Sequence, residues 1–486
     1  MVLLLAAILL PVLGGLLLFV FRPGYTLRTV FVSLVLLAQA ALVALLVMTG
    51  QGSYYSCGAF IDLLPITFHI DGVGSLFVSL FTAARIIITL FSFRYMSREQ
   101  GQNRFFGFWL LATGVLTGLS FAGNLLTFYL FYEMMTLSTL PLVFHEMTHE
   151  ALMAGLKYLL YSIAGAFLAL LGVMYLYHYD QALRFVPGGF MGGFAGNPVY
   201  LQLIAFVMIL GFSCKAGLFP LHGWLPTAHP VAPAPASALL SGCITKCGVL
   251  GVIRTVYYVI GPDAIRGSWV QTTWMALALT TVFLGSMMAY REPVTKKRLA
   301  YSTVSQLSYI LFGLSLLNPA GLSGALLHVV FHMAIKCGLF LCAGAIIFET
   351  GRKRVAELRG LGREMPVTCI CWAGLALSLT GIPPFAGFVS KWSLAEGALA
   401  ADIGVFRLLG PAVLLLSALL TAGYLFPLPV RGFFPGAGFQ RQGEPAREAA
   451  PSMLLPVIIL ALLALLPGIF TSPLHDVIAS ITAGLL

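Results

Sequence analysis

Charge is what this sequence lacks. Of its 486 residues only 9% are Asp, Glu, Lys or Arg, against about one quarter in an ordinary soluble domain. A chain of this length cannot cover a water-facing surface with so few charges, so a soluble fold is excluded, and the 59% apolar content makes a bilayer its natural solvent. Acid is the scarcer sign, with 17 Asp and Glu against 27 Lys and Arg and a net charge of +10. Cysteine is also sparse. The eight residues, at 57, 214, 243, 247, 337, 342, 369 and 371, sit mostly in apolar runs without a repeated C-x-x-C spacing. No disulfide scaffold, iron–sulfur cluster or zinc site is expected, and the pairs Cys243/Cys247 and Cys369/Cys371 read as small packing side chains. The first 20 residues lack a basic start and a small-residue cleavage site, so they are expected to remain as a first span.

Long apolar runs are abundant. A helix needs about 20 such residues to cross a hydrocarbon core, and fourteen spans are expected: 2–21, 27–49, 72–92, 105–122, 124–144, 152–178, 199–228, 233–260, 269–290, 299–317, 321–348, 367–400, 405–428 and 452–472. The runs show no period-2 alternation, which argues against a β-barrel. The fold class is therefore an all-α polytopic membrane protein of about 14 transmembrane helices. If connections alternate sides, seventeen Lys and Arg from Arg22 to Arg447, Arg441 among them, fall in odd-numbered connections. Only Arg184, Arg254, Arg266 and Arg407 fall in even-numbered ones. That bias places the odd loops in the cytoplasm and both termini outside, in the inner (cytoplasmic) membrane. The positive balance then reports topology, and no basic, aromatic-interleaved domain supports nucleic-acid binding.

Six cations remain inside or near the ends of spans: Arg85, Lys157, Lys215, Lys246, Lys336 and Lys391. A central Lys or Arg costs roughly 2.5–3.5 kcal/mol on insertion scales, so each needs a partner, water or a function. The matching acid is Glu133, within Phe-Tyr-Leu-Phe-Tyr-Glu-Met-Met-Thr-Leu, and an ion pair with a lysine of another helix offsets part of both desolvation costs. Lysine's proton affinity responds to burial and to nearby carboxylates, which suits proton transfer; arginine stays protonated. Arg85 reads as a snorkelling or statically paired side chain. Lys157, near the start of its span, stands between that reading and a functional one. His328, His332 and Lys336 recur at i, i+4 and i+8, one helix face of titratable groups suited to a relay. Two histidines at that spacing also suit zinc, but no H-E-x-x-H pattern and no third ligand accompany them, so no metal is expected. His145 and His149, with Glu146 and Glu150, form a loop cluster after Glu133 that reads equally as a proton collector and as a solvated loop.

Two spans are interrupted. Residues 215–237 carry Pro220, Pro226, Pro230, Pro233 and Pro235 around His222 and His229, and residues 380–391 carry Gly381, Pro383, Pro384 and Gly387. Proline removes backbone donors and glycine permits non-helical angles, so these helices break at membrane depth, where breaks line polar cavities. The breaks lie five spans apart, beside Lys215 and Lys391. An odd separation implies opposite orientation and hence inverted five-helix repeats. The expected organisation is 1–104 (helices 1–3), 105–260 (first repeat, helices 4–8), 261–428 (second repeat, helices 9–13) and 429–486 (helix 14 and an interfacial tail from Leu474 to Leu486).

At these residues the chain resembles the antiporter-like family shared by respiratory complex I, the Mrp multi-subunit cation/proton antiporters and the membrane arms of energy-converting hydrogenases. Residues 215–237 resemble the family's K-x-x-x-F-P-L-H-x-W-L-P-x-A followed by P-x-P-x-S-A-L, and Gly381-Ile-Pro-Pro-Phe-Ala-Gly-Phe resembles its G-I-P-P-x-x-G-F. The resemblance implies that Glu133 is the family's fifth-helix glutamate, Lys215 its seventh-helix lysine partner and Lys246 the eighth-helix relay lysine. It further implies that His328, His332 and Lys336 are the eleventh-helix relay and Lys391 the terminal residue of the twelfth helix. Lysine at 391 differs from the complex I subunit that has glutamate there. The Phe-Tyr-Glu-Met-Met-Thr-Leu and Gly-Phe-Val-Ser-Lys-Trp segments look closest to the D-type member of the Mrp antiporters and its hydrogenase-associated relatives. So does an end about 14 residues past the last span, where the largest complex I member continues into a lateral helix. Arg85 has no counterpart in the pattern.

The expected function is translocation of protons, with Na⁺ open, by a subunit of a multi-subunit complex. Partners would be other antiporter-like and small membrane subunits and a peripheral redox module with Fe-S and Ni-Fe subunits, with no cofactor in this chain. The alternatives are a non-pumping scaffold that docks a soluble redox or carbon-acquisition enzyme and, less suited to a lateral polar chain, a stand-alone solute carrier.

Overall fold

In lipid a backbone amide has no water to bond, so apolar runs of this length satisfy their N–H and C=O groups as helices. A computed structural model describes residues 1–59, 65–189, 196–436, 439 and 445–486; Arg441 lies outside the described residues. The helices are α1 (Val2–Phe21), α2 (Tyr25–Thr49), α3 (Gly72–Tyr95), α4 (Gln102–Ser120), α5 (Leu125–Val143), α6 (His149–Tyr177), α7 (Pro198–Ala216), α8 (Leu225–Val231), α9 (Ala234–Leu239) and α10 (Thr245–Ile253). They continue as α11 (Trp269–Arg291), α12 (Thr295–Ser315), α13 (Pro319–Thr350), α14 (Pro366–Thr380), α15 (Ala386–Ala400), α16 (Phe406–Leu425), α17 (Pro427–Phe433), α18 (Pro451–Ile469) and α19 (Ser472–Ala483). Starts are set by side-chain caps: Asp71, Asn124, Thr148, Asn197, Ser268 and Asn318 each accept a first-turn backbone N–H.

Eleven described helical segments are long and apolar enough to cross a membrane. They coincide with eleven of the fourteen expected spans. Of the other three, α4 and α12 have 19 and 21 residues but are more polar, with Gln102, Asn103 and Arg104 opening one and Lys296, Lys297 and Arg298 the other. The third, 367–400, divides into α14 and α15 of 15 residues each. The expected span 199–228 divides as well, between α7 and α8. One departure from the all-α expectation is a hairpin of β1 (Tyr54–Ala59) and β2 (Pro65–His69), antiparallel with Tyr54 opposite His69 and Ser56 opposite Thr67. Its aromatic and β-branched residues suit a strand pair, and the segment is too short to span.

The segment Ala234–Ile260 is buried along its whole apolar window and α13 nearly so, whereas α1, α2, α6, α16 and α18 bury less than half of theirs. The core is thus the central helices, which carry Lys246, His328, His332 and Lys336. The odd-numbered connections meet at one end of the bundle. Arg98 donates to Phe348 O at 2.5 Å, Thr295 N to Lys353 O at 2.9 Å and Gly360 N to Arg431 O at 3.0 Å. At the other end His69 N bonds Phe121 O at 2.8 Å, Leu125 N bonds Leu183 O at 3.0 Å and Arg266 bonds Leu317 O at 2.7 Å. The tail folds as α19, whose Ile478 and Thr482 are buried, with Thr482 bonded to Ser323 of α13 at 3.1 Å.

Three cations assigned to loops are interior. Arg28, in the first turn of α2, is 5% exposed; Arg254 follows α10 within a π-wound stretch (Arg254–Ile260) and is 1% exposed; and Lys296, in the first turn of α12, is 6% exposed.

Candidate functional site

Lys215 stands one residue before the end of α7, where Gly217 turns the chain with φ 75°. Its ammonium has three protons to satisfy and finds three hydroxyls: Thr136 of α5 at 2.7 Å, Ser162 of α6 at 2.8 Å and Tyr158 of α6 at 3.2 Å. Glu133 lies one turn before Thr136 on α5. It is half-buried, its Oε1 is enclosed without a hydrogen-bond partner, and no ion pair joins it to Lys215. The expected direct pair is therefore replaced by a hydroxyl cage, with the carboxylate one step removed.

Gly248 brings α10 against α7. A Cβ there would lie 2.6 Å from Phe212 O and 2.9 Å from Lys215 Cβ. Two residues earlier, Lys246 follows a π-wound turn (Leu240–Ile244), a distortion frequent at functional sites. Its Nζ donates to Ser241 O at 2.5 Å and meets His332 Nδ1 of α13 at 2.7 Å. The three α13 groups form the expected ladder. The His328 and His332 rings stack with centroids 5.8 Å apart, and the Nε2 of each is buried without a partner. Lys336 donates to Ser302 Oγ at 2.7 Å and Leu299 O at 3.1 Å on α12. His328 Nδ1 reaches Ser390 Oγ of α15 at 2.9 Å. Tyr309 stacks on His328 at 5.6 Å, and the Lys391 ammonium sits 4.9 Å from the centre of the Tyr309 ring.

Lys391 donates to Leu379 O at 2.6 Å and Thr380 O at 3.1 Å, the last carbonyls of α14 before the second break. The peptide bonds before Pro220 and Pro384 are cis. At the first break, freed backbone groups are taken up locally: Phe219 N donates to Thr281 Oγ1 at 3.0 Å and Trp224 Nε1 to Cys214 O at 3.0 Å. Pro226 is in the first turn of α8, where a missing N–H costs nothing, and Pro383 with Pro384 occupies the turn between α14 and α15.

Of the auxiliary residues, Lys157 donates to Thr227 Oγ1 at 3.1 Å across the first break, one residue from Tyr158 of the Lys215 cage. His222 is half-buried with Nδ1 unpartnered. His229 is fully buried, stacks on Phe340 at 4.6 Å and has both nitrogens unpartnered. His149 is exposed at the start of α6, but His145 is not in solvent. It is 3% exposed and bonded through Nε2 to Gln100 O at 2.9 Å, and burial together with the Arg104 guanidinium lowers its pKa to about 4. A neutral, buried imidazole is not a proton collector at neutral pH. Arg85 neither snorkels nor pairs: 1% exposed on α3, it donates to Trp109 O at 2.6 Å and lies 4.7 Å from the centre of the Trp109 ring. Among the described residues no three His, Cys, Asp or Glu side chains converge as a metal site requires.

Sequence reasoning missed three polar groups. Asp71 accepts from Arg254 twice, at 2.6 and 2.8 Å, and from Tyr258 OH at 2.5 Å; the signal was an arginine inside an expected span. Lys296 donates to Ala232 O at 2.6 Å, between the first break and α9. A hydroxyl branch also leaves Lys336, running from Ser302 to Tyr424 OH at 2.7 Å and on to Thr421 at 3.1 Å. Single hydroxyls in apolar runs gave no warning of it.

A file of buried lysines and histidines across a polytopic helical bundle, joined to two broken helices, defines an antiporter-like membrane subunit. The chain belongs to the family described as NADH:quinone oxidoreductase/Mrp antiporter, whose pattern matches residues 122–417. Residues 63–106 match the N-terminal family of complex I chain 5. It is 36% identical over 385 residues to the N-type subunit of NADH-quinone oxidoreductase from Desulforudis audaxviator, covering 77% of this chain and 75% of that one. With the D-type component of the Na(+)/H(+) antiporter of Bacillus subtilis it shares 29% identity over 471 residues, 96% of this chain and 93% of the relative. Its fold matches a chain of the archaeal membrane-bound sulfane sulfur reductase with a TM-score of 0.87 at 23% identity, covering 99% of both chains. A chain of the Mrp complex from a Dietzia species matches with a TM-score of 0.84 at 22% identity, covering 100% of this chain and 98% of that one.

Proposed function

We propose that this chain carries protons across the membrane along Lys215, Lys246, the His332, His328 and Lys336 ladder and Lys391, with Glu133 modulating Lys215, as one subunit of a multi-subunit complex. The observation that carries this reading is the 2.7 Å contact between Lys246 Nζ and His332 Nδ1, which joins the lysine of one broken-helix half to the histidine ladder of the other. A proton leaving the Lys215 cage passes to Lys246, then to His332. Imidazole accepts on one nitrogen and donates from the other, and the stacked His328, with Ser390, leads toward Lys391 at the second break. Glu133 acts by its charge, since it touches none of the lysines.

The two halves are 105–260 and 261–428, with 1–104 and 429–486 flanking them. Inverted topology is supported by the direction of the broken helices: α7 follows an even-numbered connection and α14 an odd-numbered one, so they run oppositely. The interlocked basic connections face the cytoplasm by the charge rule, which puts both termini outside the cytoplasmic membrane. Drive comes from other subunits, either a peripheral redox module with Fe-S and Ni-Fe centres or a cation gradient, and this chain itself holds no cofactor.

The test uses the intact complex in liposomes. Lys215→Ala and Lys391→Ala each abolish proton uptake while the complex still assembles. Full coupling in either variant refutes the path, and loss of stability with pumping intact makes the axis a static scaffold. Native mass spectrometry of the assembly distinguishes the redox partner from a purely antiporting complex.

A further inference from the structure

Arg85 is a permanent charge in the wrong place. It lies thirteen residues beyond Gly72 in α3 and is 1% exposed, so about 20 Å of helix separates it from the hairpin end. No carboxylate among the described residues pairs with it. Its Nη1 is used by Trp109 O, but Nε and Nη2 are buried with no partner at all. An arginine cannot shed its proton to escape this, and an unpaired buried charge costs several kcal/mol.

The side chain lines a small polar cavity between α2, α3 and α4. Gln39, Thr82, Thr113 and Thr117 supply its polar walls. Gln39 is 1% exposed and is tied through Nε2 to Thr117 Oγ1 at 3.0 Å, and its Oε1 is also left without a partner. A cation with two free donors and an amide with a free end thus converge on one small, partly open space. That space is about 10 Å³, room for a single water-sized species.

We propose that this cavity holds one small monovalent anion of halide size, the counter-ion of Arg85. Nε and Nη2 donate to it as a fork, and rotation of the Gln39 amide turns Nε2 toward it while Oε1 accepts from the Thr117 hydroxyl, which turns from the Thr113 carbonyl to do so. The anion neutralises the guanidinium where no acidic side chain is available. The site stands among α2, α3 and α4, and none of the lysines or histidines of the file lines it.

The intact protein, exchanged into gluconate, is titrated with chloride at constant ionic strength. The unfolding midpoint rises with the logarithm of chloride concentration, bromide substitutes for it, and radiochloride co-elutes at about one per chain. Arg85→Gln loses both the chloride dependence and the retained label. Should that variant fail to assemble, Gln39→Leu and Thr113→Val remove the lining one group at a time, with Gln39→Leu weakening chloride retention about tenfold. A wild-type midpoint equal in chloride and gluconate with no label retained means the cavity holds water only and overturns the proposal. Retention by Arg85→Gln equal to wild type overturns it too.

Discussion

Replacing Gly248 by alanine tests whether the spacing of α7 and α10 sets the operation of Lys215. The added methyl would sit 2.6 Å from Phe212 O, 2.8 Å from Ala216 N and 2.9 Å from Lys215 Cβ, where ordinary contact begins at 3.4 Å. Two of these are backbone atoms and the third is a Cβ, so no flexible side-chain end can swing aside. The helices must part by about 0.8 Å, which in a close-packed interior costs about 1–3 kcal/mol. Taken along the bonds, the same displacement stretches the Lys215 contacts with Thr136 and Ser162, now at 2.7 and 2.8 Å, to the edge of hydrogen bonding. Misplacement on that scale lowers a rate by roughly 10²-fold. Proton uptake by the reconstituted complex should fall by about that factor, with a modest drop in the unfolding midpoint. Gly251→Ala is the control. Its methyl meets only the Phe212 side chain, at 2.6 Å from Cδ1, so it should lose similar stability and keep most of its pumping. Uptake within twofold of wild type in Gly248→Ala, or equal loss in both variants, refutes the argument.

Removing either partner of the enclosed Asp71–Arg254 pair leaves an uncompensated charge, so Asp71→Asn and Arg254→Leu should each lower stability by about 3–5 kcal/mol, read by thermal unfolding, with the double variant recovering part of the loss. His145, with its pKa lowered from 6.5 to about 4, binds fewer protons folded than unfolded between those values. Its contribution to stability is therefore complete above pH 6.5 and is lost as pH falls through 4, at most about 3 kcal/mol. His145→Gln should flatten that segment of the stability–pH profile, and an unchanged profile would contradict the burial argument. If the hydroxyl branch beyond Lys336 carries protons, Tyr424→Phe, which cuts it after Ser302, should slow uptake severalfold at unchanged unfolding midpoint; no change in rate would make the branch structural.

Much of the bundle was legible because the bilayer imposes one rule on every span: length and apolarity alone place Val2–Phe21, Trp269–Arg291 or Pro319–Thr350. The same rule placed α4 and α12 but started each three or four residues late, because their polar first turns, Gln102 to Arg104 and Thr295 to Arg298, do not read as apolar. The α13 ladder was visible because His328, His332 and Lys336 repeat at helical spacing. Which groups touch was not visible. Glu133 and Lys215 read as a direct pair on charge, yet three neutral hydroxyls from α5 and α6 had an equal claim on the ammonium, and Ser, Thr and Tyr are too common in spans to stand out. Arg254 was misplaced although it fell within an expected span, because its partner Asp71 lies on a distant segment, at the start of α3.

The cage around Lys215 has one property that an acidic partner would not. A hydroxyl oxygen both accepts and donates, so Thr136, Tyr158 and Ser162 can receive three N–H bonds from an ammonium and then, by turning O–H bonds alone, offer a proton to the lone pair of the neutral amine. No heavy atom needs to move and no countercharge is stranded when the lysine empties. A carboxylate at contact distance would hold the loaded state and penalise the unloaded one. Hydroxyls in contact, with the single acid held one step back, keep the two states close in energy, so the lysine can be filled and emptied many times over without the bundle being repacked.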